Sequence, residues 1–297
     1  MQRRDLLLTA ATAAAIATTA GTAAATPQPP IRIRTRDGVE LFHRDWGNGK
    51  PVVFVHAWAL TSQMWAYQIA DLSDHGVRCI AFDRRGHGRS DVPGSGYDLD
   101  TLADDLAGVI EQLDLHDVVL VGMSMGCNEI LNYVDRHGTG RISKIALLSP
   151  TTPFVLQAAD NPHGAPREYF EQNWKSWSSD FPKWVEDNKL PFFTAETSPQ
   201  MMQWALNMLL EVSVPVAIAT SRGLISTDLR PVLAKIDRPV LILHGDKDQS
   251  APLEFTGRPT AAGIKGATLK VYAGGPHGLF VTHMREVNAD LLEFIKA

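Results

Sequence analysis

Gly122-Met123-Ser124-Met125-Gly126 stands between an apolar run, Val118-Val119-Leu120-Val121, and a helix-like segment from Cys127 to His137. A chain that passes from buried strand to helix so quickly has little room. The glycines two residues either side of Ser124 let strand, serine backbone and helix approach where side chains would collide. The pattern predicts an elbow that presents Ser124 over the helix N-terminus, where free N–H groups and the helix dipole favour developing negative charge. Elsewhere, Ile31-Arg32-Ile33-Arg34-Thr35 and Val39-Glu40-Leu41-Phe42 flank Arg36-Asp37-Gly38 and read as an opening hairpin. Leu99, Leu102, Leu106, Val109, Ile110 and Leu113 recur at helical spacing, so that segment covers a sheet face. Strands then alternate with helices, which predicts an α/β fold with a mostly parallel central sheet and helices on both faces.

A serine presented in this way needs a base and an acid, and on such a sheet they follow it in chain order, acid first, after later strands. Val240-Leu241-Ile242-Leu243 reads as a buried strand running into His244-Gly245-Asp246-Lys247-Asp248, a polar loop with two carboxylates. The strand-like Ala267-Thr268-Leu269-Lys270-Val271-Tyr272 leads to Gly274-Gly275-Pro276-His277-Gly278. His277 is the candidate general base, and Asp248 the candidate acid that fixes its tautomer, with Asp246 as the competing choice. The oxyanion donors expected are the N–H of Met125 and one from the loop His56-Ala57-Trp58-Ala59 that follows on the strand Pro51-Val52-Val53-Phe54-Val55-His56, most simply Trp58. Singly, each residue has a plain structural reading as a turn, a loop or a cap. Their joint order on these elements is what points to nucleophilic catalysis.

These residues resemble an α/β-hydrolase of the subgroup containing cofactor-free haloperoxidases, perhydrolases and aryl esterases. The likeness rests on the His-x-Trp loop at His56, Phe82-Asp83-Arg84-Arg85-Gly86-His87-Gly88-Arg89-Ser90, the Ser124 motif with methionine after the serine, His244 to Gln249, and Gly275 to Gly278 followed by Thr282-His283. The tail Asn288-Ala289-Asp290-Leu291-Leu292-Glu293-Phe294-Ile295-Lys296 also matches, so the resemblance covers most of the chain outside 151–230. It implies an α/β-hydrolase fold with an inserted helical cap, no cofactor, and Asp248 rather than Asp246 as the acid. The departure is Ala57, where the family usually carries glycine; a methyl group there bears on the position of the Trp58 amide.

Residues 151–230 break the strand–helix alternation and hold Trp174, Trp177, Phe181, Trp184, Phe192 and Phe193 among other aromatics. They read as a helical cap inserted into a core of 31–150 and 231–297, and the cleft between cap and core is where an apolar substrate pocket is expected. His87 and His56 read as structural, Arg84 and Arg85 as solvated or turn-bracing, His283 as a helix-start residue, and Cys79 and Cys127 as buried free thiols.

Residues 1–25 open with Arg3-Arg4 and continue as an uncharged Ala/Thr-rich run ending in Ala23-Ala24-Ala25, before a Pro-rich linker at 26–30. This predicts a twin-arginine export signal cleaved near Ala25, hence a periplasmic or secreted protein without a stable membrane anchor. With 28 basic and 33 acidic residues, net charge −5 and no basic block beyond the leader, nucleic acid is not an expected partner. No His and carboxylate set has metal-ligand spacing. The function expected is hydrolysis of small apolar or aromatic carboxylic esters through an acyl-enzyme, with perhydrolase or haloperoxidase side activity. Lactone or carbon–carbon bond hydrolysis uses the same triad, and a non-catalytic ligand-binding protein on the same fold is the alternative of another class. Haloalkane dehalogenation and epoxide opening are disfavoured, because those relatives need an aspartate where Ser124 stands.

Overall fold

A computed structural model describes residues 32–297; the expected export signal, the Pro-rich linker and Ile31 of the opening hairpin lie outside the described residues. The chain enters through strands β1 (Arg32–Arg34), β2 (Glu40–Trp46) and β3 (Lys50–Val55), then helix α1 (Ala66–Asp74), β4 (Val77–Phe82) and α2 (Leu99–Gln112). The elbow follows as β5 (Val118–Met123) and α3 (Met125–His137), then β6 (Ile142–Leu148). Helices α4 (Arg167–Asn188), α5 (Pro199–Leu210) and α6 (Val214–Ser226) come next, before the chain returns through α7 (Arg230–Leu233) to β7 (Val240–Gly245). It closes with α8 (Gly257–Gly263), β8 (Thr268–Tyr272), α9 (Leu279–Thr282) and α10 (Met284–Lys296).

The eight strands make one sheet in the order β1-β2-β4-β3-β5-β6-β7-β8, antiparallel as far as the β2–β4 pair and parallel beyond it. The central strands are buried on both faces, which is why they read as continuous apolar runs. Alternate residues point to opposite sides. Val53, Val55, Leu120 and Ile242 pack against α2, α3 and α7, while Phe54, Val121, Ala146 and Leu243 pack against α1 and α10. The fold is the expected mostly parallel sheet with helices on both faces. Because β3 to β8 run the same way, their C-terminal ends share one edge, and the loops after β3, β4, β5, β7 and β8 gather there.

Helices α4, α5 and α6 form the insertion above that edge. It leaves after β6 and returns before α7, and at its two ends the Leu229 amide donates to the Pro153 carbonyl at 3.0 Å. Among the described residues no single helix is long and apolar enough to cross a membrane. Within α4 the backbone leaves helical geometry at Asp180 (φ −156°, ψ 84°), two residues before Pro182. Proline cannot donate inside a helix but fits its first turn, and Asp180 Oδ1 accepts the Lys183 amide at 3.0 Å, so Asp180 caps a second helix.

Candidate active site

Ser124 lies between β5 and α3 with φ 54° and ψ −119°, a left-handed conformation that a residue with a Cβ rarely adopts and that costs about 1–3 kcal/mol. Its amide donates to Leu148 at the end of β6 (2.9 Å), and its carbonyl accepts from Cys127 (3.0 Å). The flanking glycines are required by close approach. A Cβ on Gly126 would sit 2.4 Å from the Val55 carbonyl, and one on Gly122 would sit 2.8 Å from the Gly126 backbone. Ser124 is thus wedged at the head of α3, with helical geometry starting at Met125, two residues earlier than the sequence pattern suggested.

On the same sheet edge, Asp248 Oδ2 and His277 Nδ1 are 2.7 Å apart. Oδ1 of Asp248 accepts the amides of Ser250 (2.9 Å) and Ala251 (2.7 Å), and buried His244 Nε2 stands 3.3 Å from Oδ2. Burial alone would push the Asp248 carboxyl up. The opposing charge of His277, the hydrogen bonds of both histidines and the Ala251 amide overcome it and hold the carboxyl well below the usual carboxylate range. Asp246 stands elsewhere in this geometry: its Oδ1 accepts the Gly274 amide at 2.7 Å, tying the end of β7 to the loop that carries His277.

Ser124 and His277 are both nearly buried, at 7% and 5% exposure, and no hydrogen bond joins them. Neither Ser124 Oγ nor His277 Nε2 is sealed from solvent. Serine–histidine contacts of this kind commonly tighten only when substrate is bound.

The Ala57 methyl packs into the core with Leu60 and Met64, and Ala57 avoids positive φ. The left-handed residue of this loop is Ala59 instead, at φ 58°. Alanine at position 57 is therefore accommodated without backbone strain, and its amide donates to the Met64 Sδ at 3.4 Å. Among the described residues, the amides of Trp58 and Met125 meet no protein acceptor. The Trp58 indole donates to the Ala217 carbonyl of α6 at 3.0 Å and packs against Trp177 at 4.6 Å between ring centroids with the planes tilted by 32°, while Phe181 and Trp184 lie edge-on at 6.2 Å. Phe192 lies edge-on to the His277 ring at 5.6 Å, and its carbonyl accepts the Gly278 amide at 3.1 Å. The insertion thus grips both the Trp58 loop and the His277 loop.

Arg84 and Arg85 are each 1% exposed, which corrects the expectation of solvated side chains and keeps the turn-bracing one. Arg85 pairs with Asp105 and Asp37, and Arg84 with Glu129 of α3. Burial pushes the Glu129 carboxyl up, with the Arg84 charge opposing. Asp83 accepts the amides of Ser62 (2.7 Å) and Arg89 (2.9 Å). Sequence reading missed Glu129, Asp105 and the role of His244, because no local spacing links a helix glutamate to an arginine in a loop one strand and one helix earlier. Cys79 and Cys127 are free and buried; burial pushes the Cys79 thiol up to about 12.

Residues 50–284 match the family model described as alpha/beta hydrolase fold. The chain is 41% identical to a non-heme chloroperoxidase of Kitasatospora aureofaciens, across 88% of this chain and 98% of that protein. It is 35% identical to a bifunctional esterase/perhydrolase of Acinetobacter calcoaceticus, across 89% and 99%. Among solved structures, an esterase from Exiguobacterium antarcticum superposes with a TM-score of 0.87 at 33% identity, covering 90% of this chain and 99% of that one.

Proposed function

This chain belongs to the alpha/beta hydrolase fold family, in its non-heme haloperoxidase and esterase subgroup, and from that premise we propose that it is a serine hydrolase of carboxylic esters working through an acyl-enzyme. The observation that carries the reading is the Asp248–His277 pair on the sheet edge where Ser124 is held in a strained turn. His277 Nε2 takes the Ser124 proton as Oγ attacks the ester carbonyl, and the oxyanion that forms lies against the Trp58 and Met125 amides. Collapse expels the alkoxide, which leaves with the proton held on His277. Water then attacks the acyl-Ser124 carbonyl and gives its proton to His277. The acid departs as that proton returns to Ser124. Asp248 keeps Nδ1–H pointed inward and stabilises the charged imidazole throughout.

The aromatic cluster of Trp58, Trp177, Phe181 and Trp184, which joins α4 to the loop that bears the Trp58 amide, supports small apolar or aromatic acyl or alcohol groups as substrates. The names of the relatives support one further use of the same intermediate. Hydrogen peroxide in place of water gives a peracid, which oxidises halide to hypohalite as it returns to the acid. Before this chemistry the chain is exported: its paired arginines and Ala23-Ala24-Ala25 support twin-arginine translocation with cleavage near Ala25.

Fluorophosphonate labelling read by intact mass tests the core of this reading. One adduct per chain is expected on the wild type and none on Ser124→Ala, with ester turnover falling about a millionfold in the variant. Absent labelling of folded wild type would make the non-catalytic ligand-binding reading the leading one. Fractionation of cells making the full chain tests export: an Arg3→Lys/Arg4→Lys variant is expected to stay in the cytoplasm.

A further inference from the structure

The Trp58 amide can serve as a donor only if the Ala57–Trp58 peptide is turned the right way. In a trans peptide the carbonyl and the following N–H lie on opposite sides of one rigid plane, so fixing either fixes both. The Ala57 carbonyl is held on the core side by His56 Nδ1 at 2.8 Å and Arg84 Nη1 at 3.4 Å. Arg84 Nη2 donates to the preceding carbonyl, that of His56, at 2.7 Å, and the Arg84 amide donates to His56 Nε2 at 3.0 Å. A carbonyl can only accept and an amide N–H can only donate, so these two bonds together call for the neutral Nδ1–H tautomer of His56, in which the 3.1 Å approach of Arg84 Nη1 to Nδ1 is a contact and not a hydrogen bond. Burial and the neighbouring Arg84 and His87 hold its pKa well below the usual value, consistent with that form.

Arg84 is itself fixed. Its Nε donates to Glu129 Oε1 at 2.6 Å, and both side chains are fully buried. Glu129 lies about one turn along α3 from Met125, whose amide is the other candidate donor. One guanidinium fork therefore connects the loop that bears one amide to the helix that bears the other.

We propose that Arg84 and Glu129 are positioning residues that set the spacing and direction of the two oxyanion donors, acting through His56 and the Ala57 carbonyl. The inference rests on the serine hydrolase reading above. Neither residue touches substrate; the pair acts at the stage where negative charge develops. Its loss therefore falls on kcat and on the binding of compounds that mimic the tetrahedral oxyanion, with ground-state binding left in place.

Removing one charge alone would strand the other in the core, whereas replacing a buried ion pair by apolar side chains of similar volume is often neutral or stabilising. The test is therefore the double variant Arg84→Met/Glu129→Leu, with active sites counted by fluorophosphonate titration. For a short p-nitrophenyl ester, kcat is expected to fall about 100-fold with KM little changed. Inhibition by an aryl trifluoromethyl ketone, which forms an anionic adduct on the serine, is expected to weaken in parallel. A folded double variant with unchanged kcat and unchanged inhibitor affinity overturns the proposal. So does a rise in KM matched to the fall in kcat, the signature of a merely structural pair. Should the double variant not fold, Arg84→Lys keeps the charge but loses the fork, and the same two readouts decide. Failure of the underlying reading looks different: Ser124→Ala would then turn the ester over as fast as wild type, and the positioning role would fall with it.

Discussion

The sheet edge and the cap above it are held by different physics. The edge buries charge: Asp83, Arg84, Arg85, Asp105, Glu129 and Asp248 are all nearly sealed from solvent, beside His56, His87, His244 and His277. Within 151–230 the buried polar residues are Thr152, Thr220 and Ser221, and none is charged. The cap is instead joined by aromatic contacts such as Trp177 with Phe181 and Trp184. Directional bonds between buried ions and carbonyls fix a peptide plane to within a fraction of an ångström. Ring packing fixes shape and volume while allowing substitution. Chemistry that depends on where a proton or an oxyanion lies belongs on the first kind of scaffold, and recognition of an apolar group on the second.

The contrast breaks most sharply at the two aspartates. Asp248→Asn is expected to lower kcat about 10,000-fold, since an amide in place of the carboxylate no longer supports the required imidazole tautomer. Asp246→Asn retains an oxygen for the Gly274 amide and is expected to cost less than tenfold. The reverse order in steady-state kinetics would make Asp246 the acid. A cap substitution should act otherwise. Trp177→Ala is expected to destabilise the protein by about 3–5 kcal/mol and to reorder preference among acetate, butyrate and benzoate esters, measured as kcat/KM ratios. An equal fall for all three esters would place Trp177 with the chemistry and erase the distinction.

A further effect concerns pH and is read on stability rather than on turnover. Burial, with Arg84 adding repulsion, pushes the His87 pKa down to about 3, and His56 is also held well below its ordinary 6.5. The unfolded chain binds protons at these sites near pH 6.5, where the native state does not. The stability they contribute is complete above that pH and is lost as pH falls, by about 1.4 kcal/mol per pH unit for each histidine. Asp248, whose native pKa is depressed, adds its own loss once pH drops below the ordinary carboxylate range. Urea melts between pH 7 and 4 should show this slope, and His87→Asn should remove about one proton's share of it. An unchanged slope would show that His87 is not the group taking up the proton.

What could be read from the sequence follows the same division. The Ser124 turn was legible because its glycines answer a steric demand at fixed offsets, the Asp248 loop because it follows a continuous apolar strand, and the His277 loop because it follows an alternating one and is rich in glycine. Arg84 and Glu129 were not paired in advance, since burial of both depends on how β4 and α3 meet across the sheet edge, which no periodicity records. Ala57, where the family usually carries glycine, needs no positive φ, and its methyl fills a core site. Residues 151–230 broke the strand–helix alternation and form helices α4 to α6, while their internal geometry, including the break at Asp180, rests on a cap-and-proline pair inside one helical pattern.

The hydrogen bond between the Leu229 amide and the Pro153 carbonyl, beside the Arg230–Asp160 pair, has a consequence for how such a protein changes over generations. A segment that departs and rejoins at one point is a cassette: it can be lengthened, shortened or exchanged with another lineage's while the strands beneath keep their register. Descendants of one ancestor can then diverge widely in diet while inheriting one reaction, and grafting a foreign insertion at this seam is the most direct way to redirect the protein without rebuilding it.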